Sequence, residues 1–186
     1  DKGATWSPAV RVSDGPETAT SILPWIETGP TPGSVGVVWY GTTASSNNDN
    51  SDWKVFFAQS LNATTSSPVF RQVELSDHFI HGSNISESGL PVIPGNAPNR
   101  NLLDYFQIAF DPTGAAVVAY TDDHNDFDGH TYVARQISGP SVNGGDVPAP
   151  VNGSALPQPT PRPVDAPQVV DFPQDHKNGL LTVLPV

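Results

Sequence analysis

Runs of alternating and continuous apolar residues, each bounded by Gly, Pro or Asn, recur along the chain, and no stretch holds a helical period. The pattern predicts strands near 20–28, 35–41, 53–60, 69–75, 104–111, 115–121 and 130–137. Residues 9–13 also alternate, as a half-buried strand does. Two further apolar runs, Val169-Val170-Asp171-Phe172 and Leu180-Leu181-Thr182-Val183-Leu184, read as strands near the end of the sequence.

Two of these groups repeat one another. Gly36-Val37-Val38-Trp39-Tyr40, a polar loop and Lys54-Val55-Phe56-Phe57-Ala58-Gln59 parallel Ala116-Val117-Val118-Ala119-Tyr120, a polar loop and Thr131-Tyr132-Val133-Ala134-Arg135-Gln136. The offset is about 80 residues at the first strand, longer than the ~40–50 of compact propeller repeats. An insertion at 77–103 accounts for the excess, and as a Gly-, Ser-, Asn- and Pro-containing loop it is expected to lie over a binding face. On a propeller reading, 20–76 is a whole four-stranded blade, 104–137 supplies three strands of the next, and residues 6–13 are the outer strand of an earlier one. A β-sandwich with two similar hairpins is the alternative. Asp111-Pro112-Thr113-Gly114 has the residues of a type I turn between adjacent strands.

The first residues make the propeller specific. Asp1-Lys2-Gly3-Ala4-Thr5-Trp6 resembles the back half of an Asp-box (BNR repeat), the Ser-x-Asp-x-Gly-x-Thr-Trp hairpin of sialidases and related β-propellers. In that reading Asp1 accepts backbone N–H bonds, Gly3 takes a positive φ, and Trp6 folds under the hairpin as a plug. The motif's Ser would stand before Asp1, so the sequence reads as a segment of something longer. Leu23-Pro24-Trp25-Ile26 before Val37-Val38-Trp39-Tyr40-Gly41, and residues 100–106 before Asp111-Pro112-Thr113-Gly114, are similar to secreted bacterial sialidase-like proteins. The resemblance covers roughly residues 1–140 and implies an all-β fold of sialidase-like blades, each a four-stranded antiparallel sheet, with an extended Pro-rich C-terminal arm. The domain reading is a propeller segment at 1–139, a Pro-rich linker at 140–167, and terminal strands at 168–186 that close the propeller, begin another domain or pair with another molecule.

Composition narrows the partners. Eight Lys and Arg stand against 19 Asp and Glu, a net charge of −11, which disfavours nucleic acid. There is no Cys, hence no disulfide framework, and no run long and apolar enough to span a membrane. Low Lys with abundant Asn, Thr, Ser, Gly and Pro fits an extracellular β-protein. Asn62-Ala63-Thr64, Asn84-Ile85-Ser86 and Asn152-Gly153-Ser154 match the glycosylation pattern.

Sialidases cleave a glycosidic bond with a Tyr nucleophile. The resemblance implies a Glu that activates it, an Asp acid/base, and three arginines whose planar forks grip the substrate carboxylate. The sequence holds Arg11, Arg71, Arg100, Arg135 and Arg162, with no motif that assigns three of them to the triad; Arg100, in a loop just before a strand, is the best single candidate for carboxylate binding, and pairing with Asp104 or a loop carbonyl is its structural alternative. Tyr40 and Tyr120 occupy matching strand ends, as packing residues do.

The densest local chemistry is Asp122-Asp123-His124-Asn125-Asp126-Phe127-Asp128-Gly129, with four carboxylates and an amide within seven residues. Hard oxygen ligands at this spacing suit calcium, giving Asp122, Asp123, Asn125, Asp126 and Asp128 as a candidate metal set. The loop at 47–52 is a weaker calcium candidate, and His124 with His130 a weaker transition-metal one. His78 and His81 are candidate metal or sugar contacts, or solvated loop residues. Three roles follow: an extracellular glycosidase acting on terminal acidic sugars, a non-catalytic glycan- or protein-binding propeller, and a structural protein that self-assembles through its arm.

Overall fold

The computed structural model describes residues 2–86, 100–102, 106–123 and 130–149. Among them are seven strands and no helix: β1 (Thr20–Thr28), β2 (Val35–Thr42), β3 (Lys54–Ser60), β4 (Arg71–Glu74), β5 (Gln107–Phe110), β6 (Ala116–Asp122) and β7 (His130–Arg135). These are the seven segments read from alternation between residues 20 and 137, with ends displaced by a few positions. They form two antiparallel sheets of orders β1-β2-β3-β4 and β5-β6-β7, so the all-β class holds and one sheet has the four strands expected.

The internal repeat is a repeat of register. Tyr40 stands opposite Val55 and Gly36 opposite Gln59 in the first sheet. Tyr120 stands opposite Tyr132 in the second, and Gln136 N–H donates to Ala116 O at 2.8 Å.

Alternation decides which side chains meet between the sheets. Val38, Tyr40, Val55 and Phe57 of the first sheet join Ile108, Val118 and Tyr120 of the second in one buried cluster. Ile80, Ile85, Leu102 and Phe106, from the long connection, complete it. The opposite face of β2 and β3 carries Trp39, Phe56 and Ala58, covered by Val12, Val37 and Phe70. With both faces covered, β3 is buried almost throughout, whereas β7 is mostly exposed. Gly36 lets the sheets approach: a Cβ there would fall 2.8 Å from Ile108 Cδ1 and 2.9 Å from Phe110 Cζ.

The Asp111–Gly114 turn forms as its residues require. Gly114 N–H donates to Asp111 O at 2.8 Å, Gly114 has φ +77°, and the Asp111 carboxylate accepts from the Thr113 and Ala115 N–H groups. In β1 the register shifts between Ile22 and Trp25, where Leu23 has φ +49°, a strained bulge on an edge strand that also accommodates Pro24.

Three expectations change. Trp6 is no plug: it is 88% exposed, its indole N–H reaching only Gly3 O, although Gly3 has the positive φ expected. Residues 9–13 form no strand and are largely exposed, because no described strand offers them an edge. Residues 140–149, expected to start the linker, pack with the first of two compact units, Asp1–Ala149, where Val142 is buried and Val147 N–H donates to Gly139 O. The expected strands within 168–186 and the motif residue Asp1 lie outside the described residues.

Candidate functional site

The site lies where β2 and β6 end and β3 and β7 begin. The connection after β4 crosses this end as a strap hydrogen-bonded to both sheets. Leu75 N–H donates to Val55 O at 2.8 Å, Ile80 N–H to Trp53 O at 2.8 Å, Trp53 N–H to His81 O at 2.8 Å, and Asp123 N–H to Ile80 O at 3.2 Å. Ile80, His81 and Ile85 are buried, so the described part of the expected surface loop, residues 77–86, is anchored in the interior at these three positions while Asp77 and Phe79 stay exposed. Asn47 holds Ile85 by both backbone groups, at 2.7 and 2.8 Å, the Trp53 indole donates to Ser83 O at 2.7 Å, and the Asn84 amide donates to Asp49.

Alternation along β6 drives Ala116, Val118 and Tyr120 inward, and Asp122 is the next residue in phase. Its carboxylate is fully buried, and an isolated buried charge would be costly. The strap supplies the partner: His78 Nε2 lies 2.6 Å from Asp122 Oδ2, while His78 Nδ1 lies 2.6 Å from Asp77 Oδ1. Asp123, one residue on, takes the other histidine. His81 Nδ1 is 2.9 Å from Asp123 Oδ2, the Asn101 amide donates to the same oxygen at 3.0 Å, and His81 Nε2 is 3.1 Å from Asn84 O.

In both imidazoles each ring nitrogen faces an oxygen acceptor. A neutral ring donates from one nitrogen only, so at His78 the protonated ring satisfies both carboxylate contacts. Hydrogen bonds from Asp77 and then Asp122 hold the His78 pKa above its ordinary value, and His78 in turn holds the Asp77 carboxyl below its own. Tyr132 meets His78 edge-on at 5.8 Å between centroids and stacks on Tyr120 at 5.6 Å. Burial, with the Asp122 charge next, pushes the Tyr120 hydroxyl up to about 12. Burial likewise raises Tyr40, whose hydroxyl makes no hydrogen bond among the described residues.

Of the candidate calcium set, Asp122 and Asp123 come together at this corner, and both direct their carboxylates to imidazoles. Asn125, Asp126 and Asp128 lie outside the described residues, as does His124. Among the described residues no three His, Asp or Glu side chains converge as a metal-binding group. Within the 47–52 loop, Asn48 and Ser51 bond to one another and to Ser46, closing a local turn. His130 begins β7 and is exposed.

Arg100 is exposed and stands next to Asn101, whose amide is fixed on Asp123. Its sequence alternative, Asp104, lies outside the described residues, as does Arg162. Among the described residues, the other arginines do not converge on this corner. Arg11 donates to Ser13 O and Thr18 O, Arg71 starts β4, and Arg135 binds Asp111 at 2.8 Å at the opposite end of its sheet.

The His–Asp pairings are what sequence reasoning missed. The available signal was Asp122 in phase with an inward-facing strand, together with two histidines three residues apart on a connection long enough to cross the sheet ends. No protein-family model matches the chain. No curated protein and no solved structure matches it. No helix among the described residues is long and apolar enough to cross a membrane.

Proposed function

We propose that the chain is a segment of an extracellular, sialidase-like β-propeller protein that recognises glycans with terminal acidic sugars at its His–Asp corner. The observation that carries this reading is Arg100: an exposed guanidinium next to Asn101, which is anchored to the buried His81–Asp123 pair. A planar cation held on a rigid base suits a sugar carboxylate, which it pairs bidentately. Two adjoining meander sheets in the same register, with long connections gathered at one end, support the blade reading.

Recognition is proposed ahead of hydrolysis: burial holds Tyr40 and Tyr120 back from the deprotonation a Tyr nucleophile needs, and Tyr105 lies outside the described residues. Calcium bound by Asp122, Asp123, Asn125, Asp126 and Asp128 belongs to the same proposal. An ion there shares two of its carboxylates with His78 and His81, so it would tie the 122–128 loop to the strap that positions Asn101.

The test is calorimetric titration with 3′-sialyllactose, run with 1 mM calcium and again with EDTA, alongside a fluorogenic sialoside assay. Wild type binds without turnover, more weakly in EDTA. Arg100→Ala loses about 10–100-fold in affinity, the scale of a hydrogen bond to a charged group, with an unchanged circular dichroism spectrum. Equal binding by Arg100→Ala removes the proposal, equal binding in EDTA removes calcium from it, and Arg100-dependent hydrolysis replaces recognition with catalysis.

A further inference from the structure

Away from the His–Asp corner, the faces of β3–β4 and β6–β7 part into a cleft of about 960 Å³. One wall includes Leu61, Val69 and Val73 and the other Val118, Ala134 and Ile137. Exposure remains high at Leu61 (41%), Val69 (58%), Val73 (54%) and Ile137 (61%). Apolar surface gathered in one concave place marks a contact site, unlike the same residues scattered singly. The two walls also differ at their edges. β3 carries β4 on its outer side, while among the described residues β7 has β6 as its only strand neighbour.

What fits such a place is an extended segment, lying on β7 as β4 lies on β3 and dropping alternate side chains into the cleft. Its chemistry is constrained by charge. A chain of net charge −11 repels its own kind, so a self-docking segment has to be uncharged and apolar. Of the uncharged stretches beyond the first compact unit, residues 178–186 are the one with at least four large apolar side chains. From Asn178 to Val186 there is no charged side chain, and Leu180, Leu181, Val183 and Leu184 supply apolar groups on both faces of a strand. The Pro-rich composition of 150–167 favours extended backbone, which gives an arm the reach to link two copies.

We infer that the β4–β7 cleft is a self-assembly site, filled by residues 180–184 of a second copy of this chain adding to β7 as an extra strand. The inference stands apart from glycan recognition, since none of His78, His81, Arg100, Asn101, Asp122 and Asp123 lines the cleft.

The experiment is light scattering and sedimentation of the full chain over a wide concentration range, comparing three variants that keep the wild-type circular dichroism spectrum. Val73→Lys charges the cleft wall, and Leu181→Asp with Leu184→Asp charges the arm on both strand faces. Val133→Lys charges the opposite face of β7, where Val133 is already 67% exposed. Wild type self-associates, the cleft and arm variants each weaken association more than tenfold, and Val133→Lys matches wild type. A wild type that stays monomeric overturns the inference. So does assembly indifferent to the arm variant, or assembly broken equally by Val133→Lys.

Discussion

The ends of β2 and β6 hold the same place in the internal repeat and are used in opposite ways. Tyr40 and Tyr120 correspond, so Thr42 and Asp122 do too, and both are buried. Thr42 is settled locally: its hydroxyl accepts from Ala44 N–H at 3.2 Å, and Thr20 closes the turn by donating to Ala44 O at 2.7 Å. Asp122 and Asp123 are settled at long range, by histidines from a strap more than 40 residues away in sequence. A hydroxyl asks for one neighbour, while a buried carboxylate requires a charged or multiply donating one. Replacing Thr by Asp at a repeated position therefore commits the fold to a distant partner, and that commitment ties down the strap and, through Asp123, the Asn101 amide.

The comparison breaks most sharply at Asp123. His81 and Asp123 are each 2% exposed at the side chain, so Asp123→Ala leaves a buried imidazole and the Asn101 amide without their acceptor. Breaking a buried pair from one side costs about 3–5 kcal/mol. For a chain of this length that lowers the melting temperature by roughly 6–20 °C. Thermal unfolding followed by the fluorescence of Trp53, with Trp6, Trp25 and Trp39 replaced by Phe in both proteins compared, reports it, since Trp53 is bonded to the strap at His81 and Ser83. A loss under 1 kcal/mol would show that the long-range pair is no more consequential than the local turn at Thr42.

This contrast also marks where sequence reading stops. Strands β1 to β7 are legible because a pleated strand imposes its period on its own residues, and Val37-Val38-Trp39-Tyr40 and Ala116-Val117-Val118-Ala119-Tyr120 carry that period plainly. The turn at Asp111–Gly114 is legible for the same local reason. Trp6 misleads because a plug needs a hairpin around it, and no described strand pairs with residues 6–13. The acidic residues 122–128 read as a cation site because charge density is a local property. That Asp122 and Asp123 face His78 and His81 depends on which end of the sheets the strap crosses, and no local pattern carries that. Burial is similarly hidden: β3 and β7 look alike in sequence, yet only β3 has both faces covered.

Thr42 tests the local half of the comparison. Thr42→Val keeps the volume and removes the acceptor for Ala44 N–H, so the expected loss is about 1 kcal/mol, that of one neutral hydrogen bond. Chemical denaturation at fixed pH measures it as a shifted midpoint with an unchanged slope. The strap should not respond, because Thr42 holds nothing beyond its own turn. Hydrogen exchange at the Ile80 and Asp123 amides that quickens together with Ala44 would mean the two strand ends are coupled, and that their different chemistry does not separate them.

The smallest effect is the pH dependence of the outer pair. The His78 pKa is raised above its ordinary 6.5, so its stabilising contribution is complete below 6.5 and is lost as pH rises through the raised folded value. Asp77 is lowered from 3.8, so its share is present above 3.8 and is lost as pH falls through the depressed value. The corner is therefore strongest between those limits. His78 is 36% exposed and Asp77 95% exposed, so solvent screens the Asp77 contact into the range of surface pairs, while the contact with the fully buried Asp122 is screened less. From pH 5.5 to 8.5 the wild-type melting temperature should fall by about 1–3 °C more than that of His78→Gln, whose amide does not titrate over this range. Raised salt should shrink that difference, because the contacts of Asp77 are open to counterions. The loss expected for Asp123→Ala should barely move with salt, since His81 and Asp123 lie out of solvent's reach. If instead the two responses scale together with salt, the distinction between a screened outer pair and a buried inner one fails.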